Sequence, residues 1–202
     1  AKLKDAIDGE LEATEWPYTY HQRLFDHPDV NGETVNQMAM AVDRVAQTPH
    51  SRRAVATTNV PNIDVFLKED VPCLREVQLR CPEDKEGNLV LNMNTSWRSR
   101  DLFKAWADNV VGITFMQQTL AQAVAEKAGR PVRVGSYADY AMSLHIYGQD
   151  FTIVGGDSKK GIRSFFDNFD EESYIARSFT SEDAAEMLVI PQLKGLLSDE
   201  QI

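Results

Sequence analysis

Between Val71 and Trp97 apolar and polar residues alternate, and directly afterwards the period lengthens to that of a helix. In Val71 to Arg80, Cys73, Val77 and Leu79 fall on one face and Glu76, Gln78 and Arg80 on the other, the pattern of a half-buried strand. "CPEDKEGN" is a turn by composition and Leu89 to Trp97 supplies a second strand, so residues 73–97 are predicted to form an antiparallel hairpin. From Leu102 to Lys127 runs a long apolar helix closed by Gly129 and Pro131, with Phe115, Met116, Leu120 and Val124 as core. Strands pairing antiparallel beside long helices argue for an α+β fold.

The rest of the chain fits around that centre. Asn31 to Gln47 places Val35, Met38, Ala39, Val42 and Val45 near helical spacing, and Pro49 ends it. Arg53 to Asn59 is rich in Val and Thr and reads as a strand. Val132 to Ile146 has strand character at both ends, and the acidic tail from Phe151 closes in a predicted helix, Ser181 to Leu197, started by "TSED". The opening "AKLKDAIDGELEATEW" is charged, amphipathic and abrupt, which points to native sequence ahead of it. With no repeat or low-complexity linker, 202 residues suit one domain.

The charge balance limits the partners. Against 21 Lys plus Arg stand 31 Asp plus Glu, a net charge of −10, which disfavours non-specific binding to nucleic acid or anionic membrane. A small anionic ligand needs only a few local cations. Cys73 and Cys81 are the only cysteines, and their spacing makes neither a disulfide framework nor a zinc site. No metal is expected, and the expected setting is reducing and cytoplasmic. No apolar run is long enough to cross a bilayer and no signal-peptide pattern opens the chain.

Several residues could carry chemistry, and each also has an ordinary structural explanation. Cys73 is a candidate nucleophile if positive charge lies nearby, as Arg52, Arg53 or Arg98 would supply; otherwise it is a buried structural thiol. In a strand Arg52 and Arg53 would point to opposite faces, so one could serve its own pocket and the other a neighbouring subunit's, or both could be solvated. In "WRSRD", Arg98 and Ser99 offer a fork and a hydroxyl for a phosphate, while Ser99 or Asp101 could cap the long helix. Asn109 carries a donor and an acceptor on one plane, which suits a pyrimidine edge. In a strand His145 and Tyr147 would share a face and could both reach one sugar hydroxyl, or form a half-buried aromatic pair.

The order of these motifs resembles that of the folate-dependent thymidylate synthase and pyrimidine nucleotide hydroxymethylase superfamily, in a compact archaeal or phage-like form. The resemblance rests on Ser51-Arg52-Arg53 before a strand, Pro72-Cys73, Arg98-Ser99-Arg100-Asp101, Asn109, and His145-Ile146-Tyr147, with "TYHQRLF" matching the family's tyrosine segment at Tyr20. It implies a thymidylate synthase-type α+β fold, with a mixed or antiparallel sheet packed with long helices and a sheet-mediated homodimer.

What the resemblance implies can be carried over residue by residue. Cys73 adds to C6 of the pyrimidine, and Tyr20 assists water-mediated removal of the C5 proton. Arg98, Ser99 and Arg52 or Arg53 hold the 5′-phosphate, with arginines donated across the homodimer. Asn109 reads the base and belongs to the catalytic set. Asp101 binds the pyrimidine by its main chain and the folate by its carboxylate, with Trp97 on the folate side; His145 and Tyr147 hold the 3′-hydroxyl. The co-substrate implied is 5,10-methylenetetrahydrofolate and the substrate a pyrimidine deoxynucleotide monophosphate, with dUMP converted to dTMP. The departures leave 5-hydroxymethylation of dUMP, dCMP or CMP, and a non-catalytic nucleotide- or RNA-binding homologue, as alternatives. The family's N-terminal phosphate arginine, catalytic glutamate and folate-contacting tryptophan have no counterpart ahead of Tyr18. Trp97 stands where the family has Gln, Ser143 replaces an Asp, and "LLSDEQI" is not the family's apolar closing tail. Asn109 rather than Asp favours uracil over cytosine.

Overall fold

The computed structural model describes residues 18–29, 31–68, 71–152 and 170. The predicted helix Ser181 to Leu197 and the charged opening lie outside them. The chain divides into two compact units, Glu15–Ile146, and Ala1–Thr14 with Tyr147–Ile202.

Within the first unit the elements run α1 (Tyr20–Phe25), β1 (His27–Pro28), β2 (Thr34–Val35), α2 (Gln37–Gln47), β3 (Val55–Thr57), α3 (Pro61–Asp64), β4 (Leu74–Arg80), β5 (Leu89–Trp97), β6 (Arg100–Asp101), α4 (Trp106–Ala128), β7 (Val132–Ala141) and β8 (Leu144–His145). A four-stranded sheet is ordered β3-β4-β5-β7. Its first two pairings are antiparallel and the third, β5 with β7, is parallel. A parallel neighbour needs a crossover, and the 23-residue α4 lies in that connection. Gly129, at φ 65° in the left-handed region, ends α4 as the sequence predicts.

The buried residues follow from the two periodicities. Leu89, Leu91, Met93 and Trp97 of β5 and Val77 and Leu79 of β4 form one sheet face; Met38, Ala41, Val42 and Val45 of α2 and Leu120, Ala121 and Val124 of α4 cover it. Phe115 and Met116, also predicted as core, are only partly buried. On the opposite face Val55, Gln78, Asn94 and Ala138 lie in register across the four strands; Gln78 is partly buried and the other three are exposed. Among the described residues no helix is long and apolar enough to cross a membrane.

Three local expectations are corrected. The helix predicted from Asn31 begins at Gln37, because Asp29 Oδ1 takes the N–H groups of Asn31 (2.7 Å) and Glu33 (2.9 Å) and β1 pairs antiparallel with β2. Ala41, not Ala39, is therefore the buried alanine of α2. The strand expected over residues 53–59 is only Val55–Thr57, so Arg52 and Arg53 precede it. In β4 the register slips between Leu74 and Glu76. This bulge at Arg75 moves Leu74 into the core phase that the alternation gave to Cys73.

A second slip lies between Leu91 and Met93, where β7 carries the extra residue. Gln117 of α4, 1% exposed, donates to the carbonyls of Leu91 (2.8 Å) and Ser136 (3.1 Å) there, so the irregular backbone is not left unsatisfied. A Cβ on Gly135 would stand 2.1 Å from Asn92 Oδ1, 2.6 Å from Val90 Cγ1 and 3.0 Å from the Leu91 carbonyl oxygen. Gly135→Ala is expected to cost about 1–3 kcal/mol, read as a lower urea midpoint at unchanged m-value; an unchanged midpoint refutes the close approach.

Candidate active site

Cys73 lies just before β4, half-buried at the margin of the core. The loop carrying it is held by two guanidinium groups. Arg98 donates from Nε to the Pro72 carbonyl at 3.2 Å and from Nη2 to that of Val71 at 2.6 Å, and its backbone N–H donates to the Cys73 carbonyl at 2.9 Å. Arg75 Nη1 also donates to the Pro72 carbonyl, at 3.4 Å, while its Nη2 donates to Asn59 Oδ1 at 2.5 Å. The acidic chain thus places two cations on the loop that carries its half-buried thiol. Arg75 was missed in the sequence because strand alternation assigns it no special place; the bulge turns it toward the loop.

Tyr20 reaches the same point from α1, whose start is capped by Thr19 Oγ1 accepting from the Gln22 N–H at 3.0 Å. Its hydroxyl accepts from the Leu74 N–H at 3.4 Å, and its ring packs edge-on against Trp97 at 5.7 Å. Burial pushes the Tyr20 phenol up, and the neighbouring Cys73 adds to the rise. Burial also pushes the adjacent Tyr18 phenol up. Tyr18 lies under the Arg23 guanidinium, 4.9 Å from its ring centre, and Arg23 is paired with buried Asp64 at 2.7 Å. Both phenols remain neutral at physiological pH.

A cavity of about 530 Å³ opens beside these residues, lined by Tyr20, Trp97 and Asn109 with an apolar wall that includes Leu24, Phe25 and Met116. Its size and mainly apolar lining with a few polar groups suit a small flat ligand. Trp97, 1% exposed, sits between the core and the cavity, its Nε1 donating to Thr95 Oγ1 at 3.0 Å.

The short pair β6–β8 brings the next candidates together. Asp101 pairs with His145, and Ser99 Oγ lies 3.5 Å from His145 Nδ1. Asp101 does not cap the long helix: its Oδ1 accepts from the N–H groups of Phe103 (3.0 Å) and Lys104 (3.1 Å). Neither does Ser99, because α4 starts at Trp106 after Ala105, with no side-chain cap. Tyr147 does not share a strand face with His145, since β8 ends at His145; Tyr147 is exposed and falls in the other unit.

Arg52 and Arg53 are not brought to Cys73. The Leu79 N–H donates to the Ala54 carbonyl at 2.9 Å, which ties the doublet to the far end of β4. The seven residues of β4 separate that end from Cys73 by roughly 20 Å at about 3.3 Å per residue. Both side chains are exposed and make no hydrogen bond or ion pair among the described residues. A strand phase that aims them to opposite faces is therefore not what distinguishes them; distance is.

The thymidylate synthase family profile matches residues 6–164, most of the chain and all of the site just described. The chain belongs to the thymidylate synthase family. It is 37% identical over 142 residues to a Methanocaldococcus jannaschii protein named "Putative thymidylate synthase", covering 68% of this chain and 59% of that one. Proteins of the same name from Methanosarcina mazei and Methanopyrus kandleri are 32% and 30% identical, over 75% and 71% of this chain and 62% and 60% of theirs. The chain thus spans about three fifths of the length of the curated relatives it matches.

The two thymidylate synthase-family thiols differ sharply in surroundings. Cys81 is buried and its thiol is pushed up to about 11 by that burial, which leaves about a thousandth as thiolate at pH 8. Iodoacetamide at pH 8 is expected to alkylate Cys73 in the native protein and spare Cys81, as peptide mass mapping reads. Equal labelling of the two refutes this.

Proposed function

We propose that the protein transfers a one-carbon unit to C5 of a pyrimidine deoxynucleotide, converting dUMP to dTMP with 5,10-methylenetetrahydrofolate as co-substrate. The observation that carries this reading is a half-buried thiol, on a loop clasped by arginines and in contact with a partly buried phenol, beside a cavity that Tyr20 and Asn109 both line. In this reading Cys73 Sγ adds to C6 and the ring's electron pair makes C5 a carbon nucleophile. Tyr20, kept neutral, orients a water that takes the C5 proton rather than acting as a base itself.

Arg98 and Ser99 hold the 5′-phosphate. Arg98 spends Nε and Nη2 on carbonyls, so a phosphate meets its remaining N–H groups. Arg52 and Arg53, too far from their own Cys73, serve the site of a second copy. The sheet face away from the helices, with Val55, Asn94 and Tyr140 exposed, suits that homodimer. His145 holds the 3′-hydroxyl. The folate has donors and surface that fit it: Asp101 Oδ2, which is not used in the turn that occupies Oδ1, and the apolar wall beside Trp97. The co-substrate supplies the carbon unit and, for a methyl product, the hydride. Two free thiols suit a reducing, cytoplasmic setting.

The test is product analysis of the full-length protein with methylenetetrahydrofolate and either dUMP or dCMP. Mass spectrometry should show a methyl gain on dUMP with a matching rise in dihydrofolate absorbance. A hydroxymethyl gain overturns the hydride step, and nucleotide binding without any product overturns the enzymatic reading.

A further inference from the structure

Arg100, between the phosphate serine and the folate aspartate of the motif, is used by none of the roles above. It is 2% exposed. Its guanidinium carbon lies 3.6 Å from the centre of the Trp97 ring, and Nη2 is ion-paired with Asp139 Oδ2. Asp139 Oδ2 also accepts from the Tyr137 hydroxyl at 2.9 Å, and that hydroxyl lies 2.8 Å from Thr95 Oγ1. The guanidinium is therefore held on one side by stacking and on another by a partly buried carboxylate with its own partner. Its Nη1 is aimed at one group, Asn109 Oδ1, at 3.0 Å.

We propose that Arg100 is a positioning residue that fixes which way the Asn109 amide faces, and so selects a pyrimidine with a carbonyl at C4. The inference rests on Asn109 being the ring's partner in the proposed function. A guanidinium only donates, so only the amide oxygen can face it. The amide NH2 is then turned away from Arg100, and Oδ1 keeps a second lone pair. Uracil offers a C4 carbonyl, which accepts from Nδ2, and an N3–H, which donates to Oδ1. Cytosine offers the reverse, an amino group at C4 and a bare N3. Serving it requires the amide to turn over, which breaks a charge-assisted bond and sets Nδ2–H against Nη1–H. An asparagine without Arg100 could turn freely and accept either base. The preference thus belongs to the pair, and it works by penalising the wrong base.

The experiment measures dUMP and dCMP dissociation constants by calorimetry on the full-length protein and on the double variant Arg100→Gln/Asp139→Asn. Glutamine accepts as well as donates, so it tolerates either amide orientation, and Asp139→Asn avoids stranding a partly buried charge. The native protein is expected to prefer dUMP, and the dCMP-to-dUMP ratio to fall on the order of ten- to a hundredfold in the variant. A purely structural role weakens both nucleotides alike and leaves the ratio unchanged; that result in the folded variant overturns the inference. A second measurement needs no variant. In ¹⁵N-labelled native protein the Asn109 side-chain amide protons should move downfield on saturation with dUMP and not with dCMP, and an equal shift with both overturns the inference. If the native protein binds neither nucleotide, the proposed function fails and the inference with it. If it prefers dUMP and the variant does too, only the inference fails.

Discussion

Cys73→Ser is expected to abolish tritium release from 5-tritiated dUMP, by at least about a thousandfold, while leaving dUMP binding within a fewfold of the native protein. Release of the C5 proton requires the ring to be activated by addition at C6, and an unactivated serine hydroxyl adds far less readily than a thiolate. The substitution is nearly isosteric at a half-buried site, so the fold should not carry the effect. Tyr20→Phe separates the two partners: it keeps the ring that packs on Trp97 but removes the hydroxyl beside the thiol, and should slow release while sparing binding. Tritium release at the native rate in the serine variant excludes covalent catalysis by Cys73 and leaves the non-catalytic homologue as the better reading.

Mixing two inactive variants is expected to restore activity. Arg52→Ala/Arg53→Ala should weaken dUMP on the order of a hundredfold or more, since two phosphate-binding forks are lost, although both arginines sit roughly 20 Å along β4 from their own Cys73. Cys73→Ser should be inactive on its own. In a homodimer with shared sites, a mixed dimer holds one site in which an intact Cys73 meets intact arginines from the other copy. Random exchange makes half the dimers mixed with one good site in two, so roughly a quarter of native activity should return. No recovery in a mixture shown to exchange subunits overturns the shared site. A doublet variant with native affinity removes the arginines from the site altogether.

The hairpin and the long helix were legible because each reports its own backbone. Leu89–Trp97 appears as read, and the long helix ends at Gly129. Where short-range side chains compete with periodicity, the reading slipped. Asp29 pulled the start of α2 to Gln37, and the Arg75 bulge passed the core phase from Cys73 to Leu74. Of the candidate site, the motif order pointed to Tyr20, Cys73, Arg98, Ser99 and Asn109 as proposed members. It could not supply Arg75 on the Pro72 carbonyl or Arg100 on Asn109, since those partners lie 3 and 9 residues away across loops.

The amino-acid sequence by itself therefore determined the α+β class, the hairpin, the long helix, and which residue types were candidates for chemistry. These are properties of local spacing and side-chain chemistry. Tertiary structure alone decided that Arg52 and Arg53 stand at the far end of β4 from Cys73, that two other arginines clasp the thiol's loop, and that Arg100 faces the oxygen of Asn109. Those are distances and orientations set by register, bulges and packing between distant segments, which no single segment's pattern encodes.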